Sequence, residues 1–510
     1  FAPGRQLFTE TDLPDGRRVF VTSPGKLSFF DYQEFPAEKG PDTYRIFALG
    51  GSTTAGRPYD WKVAFPHWMQ LYLEAMDPSR PYEVVNAGAI SYASYRIVTL
   101  MRELIAYEPD LFVIYTGHNE FLEERTYGDI IHQNPTLKTV RSWLGGLRAY
   151  NLARQGFKQL QPAEGSTKTI LPGEVEAKLD GWTGLELYER DNELQRSIVE
   201  HFDYNLRQMI AIAEDHGAEV IFVSPVSNLK DFSPFKSQHS ESLSRQQKDQ
   251  IAVLLVEERA LLDSGQEHAA LELLERALEL DPEYAETHFR MGRCLLRIGD
   301  SDSAHAAFVR AKDLDVAPLR ALGAIEERVE AVAREHGLSL VDLPGILEVE
   351  SLERHGTSIL GNEYLLDHVH PDFPTHSLIA ERVIDVLVER GIVRPAADWT
   401  PAKEQAIYDD VVSSIDVEYY GHRDHNLGKV LVWAGKVEEA EAPLLRAASV
   451  LTDNPEVRLN LGILYEKTGR WQEAVTELRR ALELDPSSAE AHFNLGTNLG
   501  YLGRPDEGIL

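Results

Sequence analysis

The chain has 510 residues, 43% hydrophobic and 26% charged, enough for about three domain cores at roughly 150 residues each. Its 82 acidic and 51 basic residues leave a net charge of −31, which works against unaided binding to nucleic acid or an anionic membrane surface. One cysteine, Cys294, excludes an intramolecular disulfide framework and a Cys-rich zinc site, and no stretch approaches the ~18 apolar residues of a spanning helix.

Because the chain begins at Phe1 rather than Met, a membrane anchor or signal ahead of it is compatible with the sequence. Residues 1–43 read as an N-terminal extension. Short apolar runs then read as strands at 44–49, 82–86, 111–115, 219–223 and 338–341, with helical patterns over 64–76, 95–107 and 194–216 between them. Strands alternating with helices predict a parallel sheet covered on both faces, in three layers. Residues 125–190 carry few clear periods and read as a long surface excursion.

Repetition dominates the rest. Glycines at 428, 462 and 496 stand 34 residues apart, and a second series at 435, 469 and 503 keeps that step. Each unit reads as a helix, a glycine turn and a second helix, closed in one case by Asp485-Pro486. The same step links Gly265 to Gly299, with Asp281-Pro282 closing that unit. Period and pattern resemble the tetratricopeptide repeat. The predicted order is a sheet domain in two parts, 44–244 and 318–398, split by inserted repeats at 245–317 and followed by a C-terminal repeat array at 399–510.

In an open parallel sheet, function gathers at the carboxyl ends of the strands. The first strand ends in Gly50-Gly51-Ser52-Thr53-Thr54, the second in Asn86-Ala87-Gly88-Ala89-Ile90-Ser91, and the third in Thr116-Gly117-His118-Asn119-Glu120. A fourth cluster, Asp367-His368-Val369-His370, precedes a helical run over about 377–390. Block by block these resemble the SGNH (GDSL) hydrolases, whose sheet domain is flavodoxin-like. Gly50 and Ser52 match the glycine and serine of Gly-Asp-Ser-Leu, with Gly51 in the aspartate's place. Gly117 and Asn119 match Gly-x-Asn-Asp, with Glu120 in the last place, and Asp367 and His370 match Asp-x-x-His.

The resemblance implies a Ser-His-Asp triad of Ser52, His370 and Asp367. It also implies an oxyanion hole from the N–H groups of Ser52 and of either Gly88 or Ser91, with the amide of Asn119. The implied activity is hydrolysis of an acyl or acetyl oxygen ester, on a carbohydrate or lipid, without metal or other cofactor. Two alternatives stay open: O-acyl transfer to a polysaccharide through the same serine, and a repeat scaffold with a vestigial hydrolase domain. The repeats are expected to bind a protein partner or to shape the cleft, with the inserted pair the nearer candidate for a cleft wall. Proteins pairing these modules resemble bacterial ones with an N-terminal membrane segment, so an extracytoplasmic or anchored location is expected, with the cytoplasm as the alternative. His118 reads as a spacer or substrate contact, the pairs His368/His370 and His422/His425 as weak metal candidates, and Cys294 as a buried apolar residue.

Overall fold

The computed structural model describes residues 6–59, 61–122, 185, 188–433 and 435–508. The excursion expected over 125–190 lies outside them, apart from residues 185 and 188–190. Tyr44–Gly50 (β4), Tyr82–Gly88 (β5), Leu111–Tyr115 (β6), Glu219–Val223 (β7) and Ser339–Val341 (β8) form one parallel sheet in the order β5-β4-β6-β7-β8. The strands are apolar almost throughout because both faces are covered. Alternation along β4 sends Phe47 and Leu49 into one core and Ile46 and Ala48 into the other.

The first core is closed by helices Ser94–Leu104 (α3), Asn192–Glu214 (α4) and Gly323–His336 (α9), the second by Phe65–Met76 (α2), Leu343–His355 (α10) and Phe373–Glu389 (α11). The four-residue helix Ser52–Ala55 (α1) sits at the end of β4.

The stretch before β4 is more than an extension. Phe8–Asp12 (β1), Arg18–Thr22 (β2) and Glu34–Pro36 (β3) pair antiparallel. Phe8 and Phe35 enter the first core, and the N–H groups of Leu7 and Phe8 both donate to Glu103 Oε1, at 2.7 and 3.4 Å. The buried Arg45 guanidinium ties the two sheets together, donating to Glu83 Oε2 at 2.6 Å, Tyr107 O at 2.7 Å and Pro36 O at 2.9 Å.

Two sets of helical hairpins complete the fold. Arg245–Asp263 (α5), Glu267–Leu280 (α6), Ala285–Ile298 (α7) and Ser301–Asp313 (α8) are inserted between β7 and α9. After a leading helix, Pro401–Ser413 (α12), come Val417–Trp433 (α13), Val437–Val450 (α14), Pro455–Lys467 (α15), Trp471–Leu484 (α16) and Ala489–Tyr501 (α17). The 34-residue glycine step has a steric cause. A Cβ on Gly462 would stand 2.6 Å from Leu478 Cγ across the hairpin, and Gly469 turns the chain at a φ of +72°.

Candidate functional site

The strand order places a switch point between β4 and β6, where the connections leave the sheet in opposite directions and open a crevice at the carboxyl ends. Ser52 follows β4 and Asn119 follows β6, so both stand at that crevice. Asp367 and His370 arrive from the segment before α11. Ser52 Oγ lies 2.8 Å from His370 Nε2, and His370 Nδ1 lies 2.7 Å from Asp367 Oδ2. With Ser52 donating to Nε2 and Nδ1–H donating to the carboxylate, the three groups form a continuous relay.

Asp367 is held from several sides. Its Oδ1 accepts from the N–H groups of Val369 and His370, both at 2.9 Å. Burial opposes its charge, but the His370 and His368 rings and these N–H donors outweigh burial and keep the carboxyl well below the usual range. Behind it, Asn228 fixes the backbone: its Nδ2 donates to Asp367 O, and its N–H to His368 O, each at 3.0 Å. Arg320, 2% exposed, in turn donates to Asn228 O at 2.8 Å and Phe232 O at 2.9 Å, with Asp315 Oδ2 3.6 Å away. Asn228 and Arg320 escaped the sequence reading because the backbone groups they hold lie 88 to 140 residues away. Nothing local marks them.

The second block divides in an informative way. Gly88 is packed rather than presented. Its N–H donates to Asn86 Oδ1 at 3.0 Å, a Cβ there would stand 2.5 Å from Ala55 N, and it does not line the cleft. Ser91 does line it, at a φ of +60°, a left-handed conformation that favours glycine. The N–H groups of Ser91 and Ser52 have no acceptor among the described residues. The Ser91 loop is pinned on both sides: Ile90 N–H donates to Phe29 O at 3.0 Å, and Glu120 accepts from Ser94 N and Oγ at 2.8 and 2.7 Å. That gives Glu120, in the last place of its block, a structural task.

Asn119 Nδ2 donates to Tyr92 O at 3.1 Å and occupies the space beside Gly51, where a Cβ would stand 2.3 Å from it. A side chain at 51 would displace that amide.

The remaining candidates fall away from the cleft chemistry. His118 is buried, its Nδ1 accepts from Ala321 N–H at 3.2 Å, and burial keeps the ring neutral, well below the usual range. His368 is packed on Phe232 and Phe235, and burial pushes it down to about 3 against the pull of Asp367. His425 sits on α13 at 2.9 Å from Asn460 Nδ2. Burial pushes the Cys294 thiol up to about 11. Among the described residues no group of three or more His, Cys, Asp or Glu is gathered to hold a metal ion.

The cleft is about 750 Å³, and its far wall corrects the expectation about the repeats. None of its lining residues comes from the inserted pair. The wall is built by the first helices of the C-terminal hairpins: Asn426, Lys429, Val430 and Trp433 from α13, then Asn460, Ile463 and Lys467 from α15. These follow an i, i+3, i+4, i+7 pattern that puts each set on one helix face. Asn-Leu-Gly recurs at 426, 460 and 494, so the face was legible as a repeat, but not the surface it would meet. Asn426 Nδ2 donates to Pro58 O at 3.3 Å, and Tyr419 stacks on Tyr59 with ring centres 4.9 Å apart. Trp433 meets Phe235, 6.3 Å between ring centres, at the opposite end of α13.

Comparison with known proteins gives three results. Family models described as a tetratricopeptide repeat and a TPR repeat match residues 261–323 and 467–499. No curated protein matches the sequence. Among solved structures, the chain is similar to the lipase/acylhydrolase from Enterococcus faecalis (14% identity, 69% of this chain and 98% of that one, TM-score 0.31). It is similar also to a GDSL-like lipase from Bacteroides thetaiotaomicron (11%, 70% and 93%, TM-score 0.30). MamA from Desulfovibrio magneticus is a further likeness (12%, 51% and 89%, TM-score 0.17). At such identities and TM-scores these structural likenesses carry no weight for the activity. The family matches establish that the chain carries tetratricopeptide repeats in both of its helical regions.

Proposed function

We propose that the protein is a serine esterase that cleaves an acyl ester, such as a short acyl or acetyl group on a carbohydrate or lipid. The observation that carries this reading is the unbroken relay Ser52–His370–Asp367, with its two links of 2.8 and 2.7 Å, opening onto a cleft. Ser52 Oγ attacks the ester carbonyl while His370 Nε2 takes its proton, and Asp367 steadies the ring and its positive charge. The oxyanion that forms meets the N–H groups of Ser52 and Ser91 and the amide of Asn119, a set in which one donor is typically worth ~3 kcal/mol.

His370 then returns its proton to the departing alkoxide, leaving the acyl group on Ser52. A water molecule, deprotonated by the same ring, attacks the acyl-enzyme, and collapse of the second tetrahedral intermediate frees the acid and restores Ser52–OH. No step requires a cofactor. A sugar hydroxyl in the water's place would turn hydrolysis into acyl transfer, and product analysis with and without a carbohydrate acceptor separates the two.

An extracytoplasmic or anchored site of action belongs to the same proposal. Among the described residues no helix is long and apolar enough to cross a membrane.

The test is labelling with a fluorophosphonate, followed by mass spectrometry of the modified peptide. Label on Ser52 of the wild type, absent from Ser52→Ala and His370→Ala, is the expected result. Label at another residue, or none, would overturn the assignment.

A further inference from the structure

The wall opposite Ser52 is unevenly charged. Lys429 and Lys467 line the cleft, and neither has an acidic partner among the described residues. The arginines of the same array behave differently. Arg446 pairs with Asp424 at 2.7 Å, Arg458 with Glu477 at 3.3 Å and Arg470 with Glu441 at 2.6 Å. In a chain with a net charge of −31, these two exposed lysines stand unmatched on the helix faces that line the cleft.

Chain position accounts for only part of it. Lys467 is the last residue of α15, where a helix end favours a cation whatever it faces. Lys429 lies a full turn inside α13, so that reason does not serve it. Burial and then the Lys429 charge push its near neighbour His425 down to about 4, so that ring is neutral beside it and is no counter-ion. Arg57, the third cation at the cleft, is taken up by Asp31 at 3.3 Å, and Asp367 is matched by His370. Glu490, on α17, is the remaining acid of the lining.

We propose that the ester this cleft accepts carries a negatively charged group, and that Lys429 and Lys467 bind that group across the cleft from Ser52. This rests on the esterase reading and deepens it to a substrate class: an ester with a carboxylate, sulfate or phosphate on its acyl or its alcohol portion. The lysines would concentrate such a substrate at a cleft whose surrounding protein repels it. On this view the concave face of the C-terminal array is a substrate subsite, not a peptide-docking surface.

The experiment uses the full chain and two matched pairs of esters. In one pair the charge is on the acyl side: mono(4-nitrophenyl) glutarate against its methyl-capped analogue. In the other it is on the alcohol side: an O-acetylated glucuronate against the O-acetylated glucose. The quantity read is the ratio of kcat/KM, anionic over neutral, so that any general loss of activity cancels. The wild type should favour the anionic member of at least one pair. The double variant Lys429→Glu/Lys467→Glu should lower that ratio by about tenfold or more, and added salt should lower it in the wild type. A wild-type ratio at or below one in both pairs, or a ratio unmoved by the double variant, overturns the proposal while the esterase reading stands. If neither ester of a pair is cleaved and Ser52 takes no fluorophosphonate, the esterase reading fails and this inference fails with it.

Discussion

The inserted and C-terminal repeats share a period, a turn and a packing rule, yet the molecule uses them differently. The inserted pair is joined to the sheet domain by a small apolar cluster, in which Leu229 and Ile359 pack with Phe289 and Phe308, and by matched polar contacts. Lys312 meets Glu326 at 2.5 Å, Arg190 meets Glu283 at 2.7 Å, and His239 meets Asp281 at 2.9 Å. The C-terminal array is joined by apolar burial. Tyr408 of α12 stacks on Trp68 with ring centres 5.4 Å apart, Trp399 lies against Tyr72, and Val411 is buried in the second core. Only the C-terminal junction sets a repeat face against the cleft. A repeat period specifies how hairpins stack on one another, while the residues at the junction decide what the stack is for.

On the proposed esterase reading no reacting atom comes from the repeats, so the largest effect should come from the sheet domain. Ser52→Ala and His370→Ala should each lower turnover of a small aryl acetate on the order of 10³-fold or more, with an unchanged melting curve. Turnover close to the wild type's in either variant would mean that this site does not do the chemistry.

Removing each set of repeats is the next break. Because the reacting groups all precede residue 399, the array looks dispensable from the sequence, but the junction says otherwise. Ending the chain at Asp398 removes Val411 from the second core, with the half-buried Trp399, Tyr408 and Tyr419 that pack on it, and should leave an insoluble or molten product. Ending it after Ser413 keeps the first three, so that chain should fold and cleave a small ester with the cleft wall gone. Excising 245–313 should lower the melting temperature by leaving Glu326 unpaired, yet spare most ester turnover, since every lining residue stays. The 1–413 chain should lose the discrimination among larger esters that the excised chain keeps, and if both keep it or both lose it, the repeats do not differ in role as described.

A milder change sharpens the same point. Asn228→Ala removes the bond to Asp367 O and should lower kcat more than KM, because it loosens the relay rather than the wall. Asn426→Ala removes the bond to Pro58 O and should raise KM more than it lowers kcat. Steady-state kinetics on one ester would separate them, and identical patterns would deny the distinction between relay and wall.

Much of this was readable in the sequence because the physics was local. Strand runs at 111–115 and 219–223 coincide with β6 and β7, since buried parallel strands must be apolar throughout. Three of the four blocks fell at strand ends because an α/β crevice draws its groups from there, and the fourth, with Asp367 and His370, comes from the segment before α11. The first sheet stayed hidden: Phe8-Thr9-Glu10-Thr11-Asp12 buries only Phe8 and shows no alternation of apolar residues. Whether Gly88 or Ser91 faces the cleft turned on a φ of +60°, which composition does not encode.

The smallest expected effect tests the array junction through pH. Glu381 on α11 faces Glu404 on α12, and Ser377 Oγ donates to its Oε1 at 3.2 Å. Burial first, then the Glu404 charge, push the Glu381 carboxyl up to about 7, with Arg382 opposing and Asp385 adding to the rise. Tyr72 and Tyr408 also stand in its field. An unfolded glutamate titrates near roughly 4.3, so between that pH and 7 the folded chain holds a proton that the unfolded chain has lost. The resulting stabilisation is complete below the unfolded value and disappears as pH rises through 7, where two charged carboxylates press α11 and α12 apart. Glu381→Gln keeps the hydrogen bond without the charge. Urea midpoints at pH 5, 6, 7 and 8 should fall with rising pH in the wild type and stay flatter in the variant, which gains on the order of 1 kcal/mol at pH 8. Glu326 in the inserted junction has Lys312 beside it, so Glu326→Gln should destabilise the fold at the same pH. Parallel curves for wild type and Glu381→Gln would show that the array is not held across a pair of like charges.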